Sequence, residues 1–510
     1  MWSFRRSGFS GIPRFASRWR GRTGTSFWAP KSTLGNLDRE QLAATRWFGA
    51  KGRRVESIAL EAAFILDQGA PHVLAVARLR LDDRSAQRYT FALTGRPLRI
   101  AEPGDGTWRA LLVAMADGRV VPALGGGATP DAGPRGPVAA ALVCRPVAGL
   151  TGLLVDVPGG IGGIPMLPER ALGADQSNTS MVIGERVLLK AYRRLETGLN
   201  PELELLAFLG EEAGFAAVAP LAGYAEMVSP EGTFTVAIAQ AFIADGADAY
   251  EAIAETLTGW LLAPGEVSVE FATDVAADLG SLTAALHAAL ADARGIAEFQ
   301  PRRATRDELR AWAQAARRQL VRAVHVTPGE AGRVLHELAS AVAAELTIFE
   351  ALPTTPLLTR VHGDYHLGQV LVAADGYRII DFEGEPLRPI DARRGHGSPL
   401  RDVASMLRSL DHVGRSAGRR SVERNGGPLA APGLDLDGWL RRSRERFLEA
   451  YRAGLREAGS PIVAEPELIR AFEIEKECYE FIYASTYLPS WLWAPTEGLR
   501  GLFEATARTG

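Results

Sequence analysis

His362-Gly363-Asp364-Tyr365-His366-Leu367-Gly368-Gln369, with Ile379-Ile380-Asp381-Phe382-Glu383 a short way downstream, is the stretch on which the reading of the fold turns. Asp364 stands in a loop before a strand, and Gln369 follows closely enough to reach the same ion. Asp381 closes an apolar strand and points toward the same cleft. One carboxylate can then meet an attacking hydroxyl and accept its proton. A second carboxylate, with an amide or carboxylate oxygen, can hold magnesium, which prefers hard oxygen ligands. Phosphoryl transfer asks for that kit, because the protein mainly positions reactants and neutralises charge. Taken singly, each carboxylate suits a solvated loop and the histidine suits a core. Convergence of several titratable groups is what marks a site.

Working outward, the chain before this stretch is rich in strands and the chain around it rich in helices. Asp38-Arg-Glu-Gln opens a short helix that ends in RWFGAKGR, residues 46–53. Alternating runs at Ser57 to Leu66, His72 to Leu81 and Gln87 to Thr94 predict antiparallel strands. A Gly-, Pro- and Ala-rich loop from Gly125 to Pro137 closes that unit. Gly184-Glu185 between Ser180 to Ile183 and Arg186 to Ala191 signals a hairpin. Asn200-Pro201-Glu202 then opens a helix with a cap residue followed by proline. Strands follow at Ala216 to Ala225 and Phe234 to Ile243. From Ser268 the pattern is helical, with Leu279, Leu282, Leu286 and Leu290 at three- and four-residue steps. Long helices also fit Arg306 to Val324, Gly329 to Glu350, Asp437 to Ala458 and Glu465 to Tyr487. The expected fold is α+β and bilobal. Its segments are a basic tail (1–36), an N-terminal α+β unit (37–137), a strand-rich lobe (138–245) and a helical lobe (246–510).

Composition narrows the function classes. Across 510 residues, 57 Lys and Arg face 60 Asp and Glu, a net charge of −3 that argues against nucleic acid as a partner. The two cysteines, Cys144 and Cys478, lie far apart without metal-ligand spacing, which fits a reducing cytoplasm. No apolar run reaches the roughly 20 residues that span a bilayer, so no membrane partner is expected. Met1 to Asn36 carries no acidic residue, with arginines interleaved among Trp and Phe. That pattern reads as a disordered or mis-started tail, with a transit peptide as the alternative.

The motifs HGDxHxxQ and IDFEGEP resemble the catalytic and metal loops of aminoglycoside phosphotransferases. The longer run IDFEGEP…SPLRDVASMLRSLDH looks like the maltokinase branch of that family, as do DQSNTS (175–180) ahead of VLLKAYRRL and the RWFGAKGR stretch. The resemblance runs from about Arg46 to the C-terminus. It implies a kinase-like bilobal fold using ATP and Mg2+. It implies that Lys190 binds the α- and β-phosphates and that Glu204 pairs with it. Ser177, Asn178 and Thr179 would cover the phosphates, and Gln240, Phe242 and Ile243 would carry adenine at the hinge. Asp364 would be the base, with Gln369, Asp381 and Glu383 toward the metal. His362 would brace the loop, and Arg401 and Asp402 would pair with each other.

The acceptor is read from the C-terminal segment. Glu473, Lys476, Tyr479, Glu480 and Tyr483 share roughly one helical face, and aromatics with carboxylates suit a sugar. Core packing of an aromatic-rich last helix is the bland alternative. Maltokinases carry a second Glu where Ala484 stands and an Arg-His-Arg-Pro ending where this chain has Thr486-Tyr487-Leu488-Pro489. The YLPSWLWAP ending is similar to actinobacterial glucosamine kinases. The resemblance therefore implies a monomeric sugar kinase acting on glucosamine, with Asp364, His366, Glu480, Tyr483 and Trp491 about the acceptor. A maltokinase is the runner-up, and an antibiotic phosphotransferase or a non-catalytic scaffold stands behind both.

Overall fold

A computed structural model describes residues 30–507 apart from 46, 68, 70, 125–139, 174–177, 264, 266, 386 and 387. The basic tail up to residue 29 and the loop around 125–137 therefore lie outside the described residues. Pro30–Gly35 is a short helix whose Leu34 is buried against the first sheet, so ordered chain begins ahead of Leu37. Apolar anchoring overrides the basic composition there.

The first sheet runs Val55–Asp67, His72–Leu81 and Ala86–Thr94 in antiparallel order. Its period-2 alternation buries both faces. Ala63, Val73, Ala75, Leu79, Tyr89 and Leu93 pack with Phe48 on one side. Phe64, Leu74 and Val76 turn to the other, joining Trp108, Leu111 and Met115 of the helix Thr107–Ala116.

The second sheet has seven strands in the order Val120–Pro122, Ala141–Pro146, Leu221–Ser229, Gly232–Ala241, Val187–Ala191, Thr179–Ile183 and Glu169–Ala171. The two sheets exchange edges: Arg194–Leu195 pairs onto the first sheet and Val120–Pro122 onto the second. Gly184 and Glu185 sit at φ 63° and 54° in the hairpin turn, and the Arg186 N–H closes it onto the Ile183 carbonyl at 3.2 Å. The strand expected from Ala216 begins only at Leu221. Pro220 lacks an N–H, and the Ala217 carbonyl instead accepts from the Ile379 N–H at 2.8 Å, tying this lobe to the catalytic hairpin.

The helical body contains Ala249–Leu262, Asp274–Ala291, Arg306–Val326, Gly329–Glu345, Leu400–Asn425, Leu436–Glu457, Pro466–Tyr487 and Trp493–Ala507. Leu400–Asn425 packs against both Ala249–Leu262 and Pro466–Tyr487. The helix expected over 329–350 stops at Glu345 and resumes as Ile348–Ala351. No described helix is long and apolar enough to cross a membrane. Between the lobes, Val370–Ala373 and Gly376–Ile379 form the hairpin that carries the catalytic motif at its ends. Both cysteines are free and buried.

Candidate active site

The loop before the hairpin is held from beneath. Asp402, on the first turn of Leu400–Asn425, is buried and accepts from the backbone N–H of His362 (2.9 Å) and Gly363 (3.0 Å). Burial alone would push its carboxyl up, but the neighbouring His287, 3.4 Å away, and the loop amides hold it below the usual value. His362 Nε2 donates to the Ile380 carbonyl at 2.9 Å, which locks the two motif segments together. Gly363 takes φ 85°, a conformation glycine adopts without a Cβ penalty. Asp364 is thereby turned into the cleft on a fixed loop. Arg401 does not pair with Asp402. It reaches Glu475 at 2.8 Å and stacks over Phe472 at 4.3 Å, because one residue further along a helix points elsewhere.

On one side of this loop lies Lys190. The central strand Val187–Ala191 buries it, and its Nζ meets Glu202 (2.8 Å), Asp381 (2.5 Å) and Glu383 (2.6 Å). The partner expected was Glu204, and the structure corrects this to Glu202. Asn200 caps the helix Pro201–Ala207, and two residues of α-helix turn the chain by more than half a circle, so the two glutamates face apart. Glu204 is taken by Arg360 (2.8 Å) and Arg394 (2.7 Å). Tyr192 donates its hydroxyl to Glu202 at 2.8 Å. Burial raises Glu202 to about 7, partly offset by Lys190. Burial likewise raises Glu383. For Asp381 burial acts upward, but Lys190 outweighs it and the carboxyl falls below its usual value. Asp381 also sits at φ 63°, a strained conformation for a residue with a side chain and one that clusters at functional sites.

Oxygens of Glu202, Asp381 and Glu383 lie within 4.8 Å of one another, and Gln369 Nε2 approaches Asp381 at 3.3 Å. Three carboxyl groups face one ammonium, so the set holds more acid than base. A divalent cation on hard oxygen donors fits that set. Asn178 Nδ2 donates to Glu383 at 2.5 Å, and Thr179 Oγ1 accepts from Arg193 at 2.9 Å. Ser177 lies outside the described residues. Gln240 is buried in register with Leu188 and Leu221. Phe242 follows the strand with its N–H on the Arg186 carbonyl (2.8 Å), and Ile243 accepts from Gly246 (3.2 Å).

On the other side of the loop the helix Pro466–Tyr487 presents Lys476, whose Nζ is 3.9 Å from Asp364 and 3.4 Å from Glu480. His366 Nε2 is 4.0 Å from Asp364 while its Nδ1 accepts from the Gly368 N–H, and burial lowers its pKa. Tyr479 and Tyr483 stack at 6.2 Å, and Tyr483 meets Tyr487 at 5.2 Å. Trp491 sits half-buried, with His412 at 6.5 Å edge-on and Trp493 at 5.0 Å. Glu473 leaves the face it was expected to share: it is fully buried with Arg408 and Arg444. The sequence reading did not single out Glu202 or give Lys476 a role. The capping register of Asn200 would have separated Glu202 from Glu204, and the i, i+4 spacing of Lys476 and Glu480 was the signal for the second.

Residues 169–439 match the phosphotransferase enzyme family model. A glucosamine kinase from Streptacidiphilus jiangxiensis is 33% identical over 454 residues, covering 86% of this chain and 90% of that protein. A glucosamine kinase from Mycolicibacterium smegmatis is 29% identical, covering 67% of this chain and 81% of its own. Among solved structures, a glucosamine kinase crystal form superposes with TM-score 0.70 at 26% identity, covering 93% of this chain and 100% of that one. A glucosamine kinase in complex with glucosamine, ADP and inorganic phosphate gives TM-score 0.67 at 27% identity, covering 93% and 99%. The chain belongs to the phosphotransferase enzyme family, on the branch that holds the glucosamine kinases.

Proposed function

We propose that the chain is an ATP-dependent glucosamine kinase that makes glucosamine 6-phosphate and releases ADP. The observation that carries this reading is the charge around the base. Asp364 and Glu480 lie within salt-bridge distance of one cation, Lys476, and Glu385 bears on the same lysine electrostatically. Glu385 is itself paired with Arg388 at 2.6 Å, so two carboxylates, Asp364 and Glu480, share the one ammonium of Lys476 and leave room for a cationic acceptor; glucosamine has an ammonium that maltose and glucose lack.

In this reading the 6-hydroxyl of the sugar lies against Asp364, which takes its proton as the oxygen attacks the γ-phosphorus. Proton acceptance by a positioned group contributes about 100- to 10,000-fold. Glu480 receives the sugar's ammonium, with Tyr483, Trp491 and His366 about the ring. Lys190, steadied by Glu202, reaches the α- and β-phosphates. Asn178 and Thr179 cover the phosphates, and Gln240, Phe242 and Ile243 line the adenine position. Asp381, Gln369 and Glu383 would hold magnesium, whose chemistry there is to neutralise phosphate charge. Closing the lobes would keep water from the transferring group. The units 37–137, 138–245 and 246–510 remain our division of the chain, with the two exchanged edge strands joining the first pair.

The test is an ADP-release assay with Mg-ATP and glucosamine, maltose, glucose, N-acetylglucosamine and kanamycin in parallel. Turnover fastest on glucosamine, with glucose at most a poorer acceptor, and lost in Asp364→Asn is the expected result. Turnover on maltose alone, or on none of the five, would overturn the reading.

A further inference from the structure

Among the described residues, Lys476 lies within ion-pair distance of both the group proposed to activate the sugar hydroxyl and the group proposed to take the sugar's ammonium. Its ammonium is half-buried, with Tyr479 beneath it at 5.1 Å from the ring centre. It lies closer to Glu480 (3.4 Å) than to Asp364 (3.9 Å). The carboxylates within ion-pair distance of it are Asp364 and Glu480; Glu385 acts on it electrostatically while paired with Arg388 at 2.6 Å. A half-buried cation between two carboxylates is attracted to both, and a second cation that neutralises one carboxylate leaves the first cation drawn toward the other.

We propose that Lys476 is a positioning residue that exchanges partners when the acceptor binds. The acceptor's own ammonium takes Glu480, and Lys476 then gives its hydrogen bonds to Asp364 and fixes that carboxylate against the sugar hydroxyl. An acceptor without an ammonium leaves Lys476 on Glu480, and the base is less well held. Discrimination between an amino sugar and its neutral analogue is thus expressed in kcat as well as in KM. Binding energy from a remote part of the substrate is spent at the reacting centre. This inference rests on the glucosamine kinase reading above.

The experiment measures kcat and KM for glucosamine and for glucose in the wild-type enzyme, Lys476→Met and Lys476→Arg, with melting curves for each. In the wild type, kcat for glucosamine exceeds kcat for glucose. In Lys476→Met that ratio falls by about tenfold or more, because the ammonium no longer changes how the base is held. Lys476→Arg, which keeps the charge, retains most of the ratio. A purely structural lysine would lower both sugars alike. Equal losses on the two sugars, or an unchanged ratio in Lys476→Met, would overturn the inference. If Lys476→Met fails to fold, Lys476→Gln, which removes the charge but keeps a polar head group, is measured in its place, and an unchanged ratio there would overturn the inference. Wild-type silence on glucosamine would defeat the underlying reading, and that result is separable from any of these.

Discussion

Two lysines stand on opposite sides of one catalytic loop, Lys190 buried among three carboxyl groups and Lys476 half-buried between two. Lys190 is enclosed by Glu202, Asp381 and Glu383 at 2.5–2.8 Å and sits in the middle of a sheet. Lys476 lies at 3.4–3.9 Å from Glu480 and Asp364 on a helix at the cleft wall, with Glu385 acting on it from the IDFEGEP run. The difference is one of tightness. Short contacts from a rigid strand make a fixed charge that serves any nucleotide. Longer contacts from a helix leave a charge that can change partner, which suits a pocket that must tell one sugar from another. In both clusters the excess of acid over base matches a cation that arrives with the reactants: a divalent ion on one side, an ammonium on the other.

The largest effect expected is at the residue between the clusters. Asp364→Asn keeps the shape but cannot accept a proton, so kcat should fall about 1,000-fold with KM for ATP little changed. A loss below tenfold would mean that the carboxylate only orients the sugar. Next comes Lys190→Met, which leaves buried Glu202 and half-buried Asp381 and Glu383 without their shared cation. Breaking one side of a buried pair destabilises by about 3–5 kcal/mol. Melting temperature should therefore drop, and added magnesium should recover part of it. The Lys476→Met protein should melt closer to wild type, since its contacts are longer and more exposed. If the two variants lose equal stability, the contrast in tightness is wrong.

Glu480→Gln sharpens the acceptor side alone. KM for glucosamine should rise by about tenfold or more, in line with losing a charge-assisted hydrogen bond, while KM for glucose stays within twofold of wild type. Parallel changes for both sugars would remove Glu480 from the ammonium site and leave Glu385 as the carboxylate to test.

Much of this arrangement was legible in the sequence because it lies in contiguous motifs. HGDYHLGQ and IIDFE flank one hairpin, so chain neighbours become site neighbours. The strand holding Lys190 was legible from its apolar run and the GE turn. Contacts made between distant helices were not. Arg401 and Asp402 are adjacent in sequence, yet Asp402 caps the catalytic loop and Arg401 joins Glu475 on another helix. The helix Leu400–Asn425 was also missed, since its buried face is interrupted by Arg408, Ser409 and His412; Arg408 pairs with Glu473 and Glu477, Ser409 accepts from the Leu367 N–H, and His412 lies 3.5 Å from Glu477. Burial of charge by pairing is a tertiary property, and a hydropathy pattern does not carry it.

The choice between Glu202 and Glu204 shows where the sequence reading stops and gives the smallest activity effect. Both stand on the helix Pro201–Ala207, and only the orientation set by the Asn200 cap separates them. Glu204 is bound by Arg360, itself 1% exposed, and by Arg394, so Glu204→Gln leaves a buried guanidinium short of a counter-charge. Stability should fall by about 3 kcal/mol, yet KM for ATP should stay within twofold when measured well below the melting temperature. Glu202→Gln should do the reverse, raising KM for ATP: Lys190 and Tyr192 bond the same Glu202 oxygen, so an amide oxygen there can keep both hydrogen bonds, but the negative charge paired with Lys190 at 2.8 Å is gone. A larger KM effect from Glu204→Gln than from Glu202→Gln would return the phosphate lysine's brace to Glu204 and require the helix to turn on nucleotide binding.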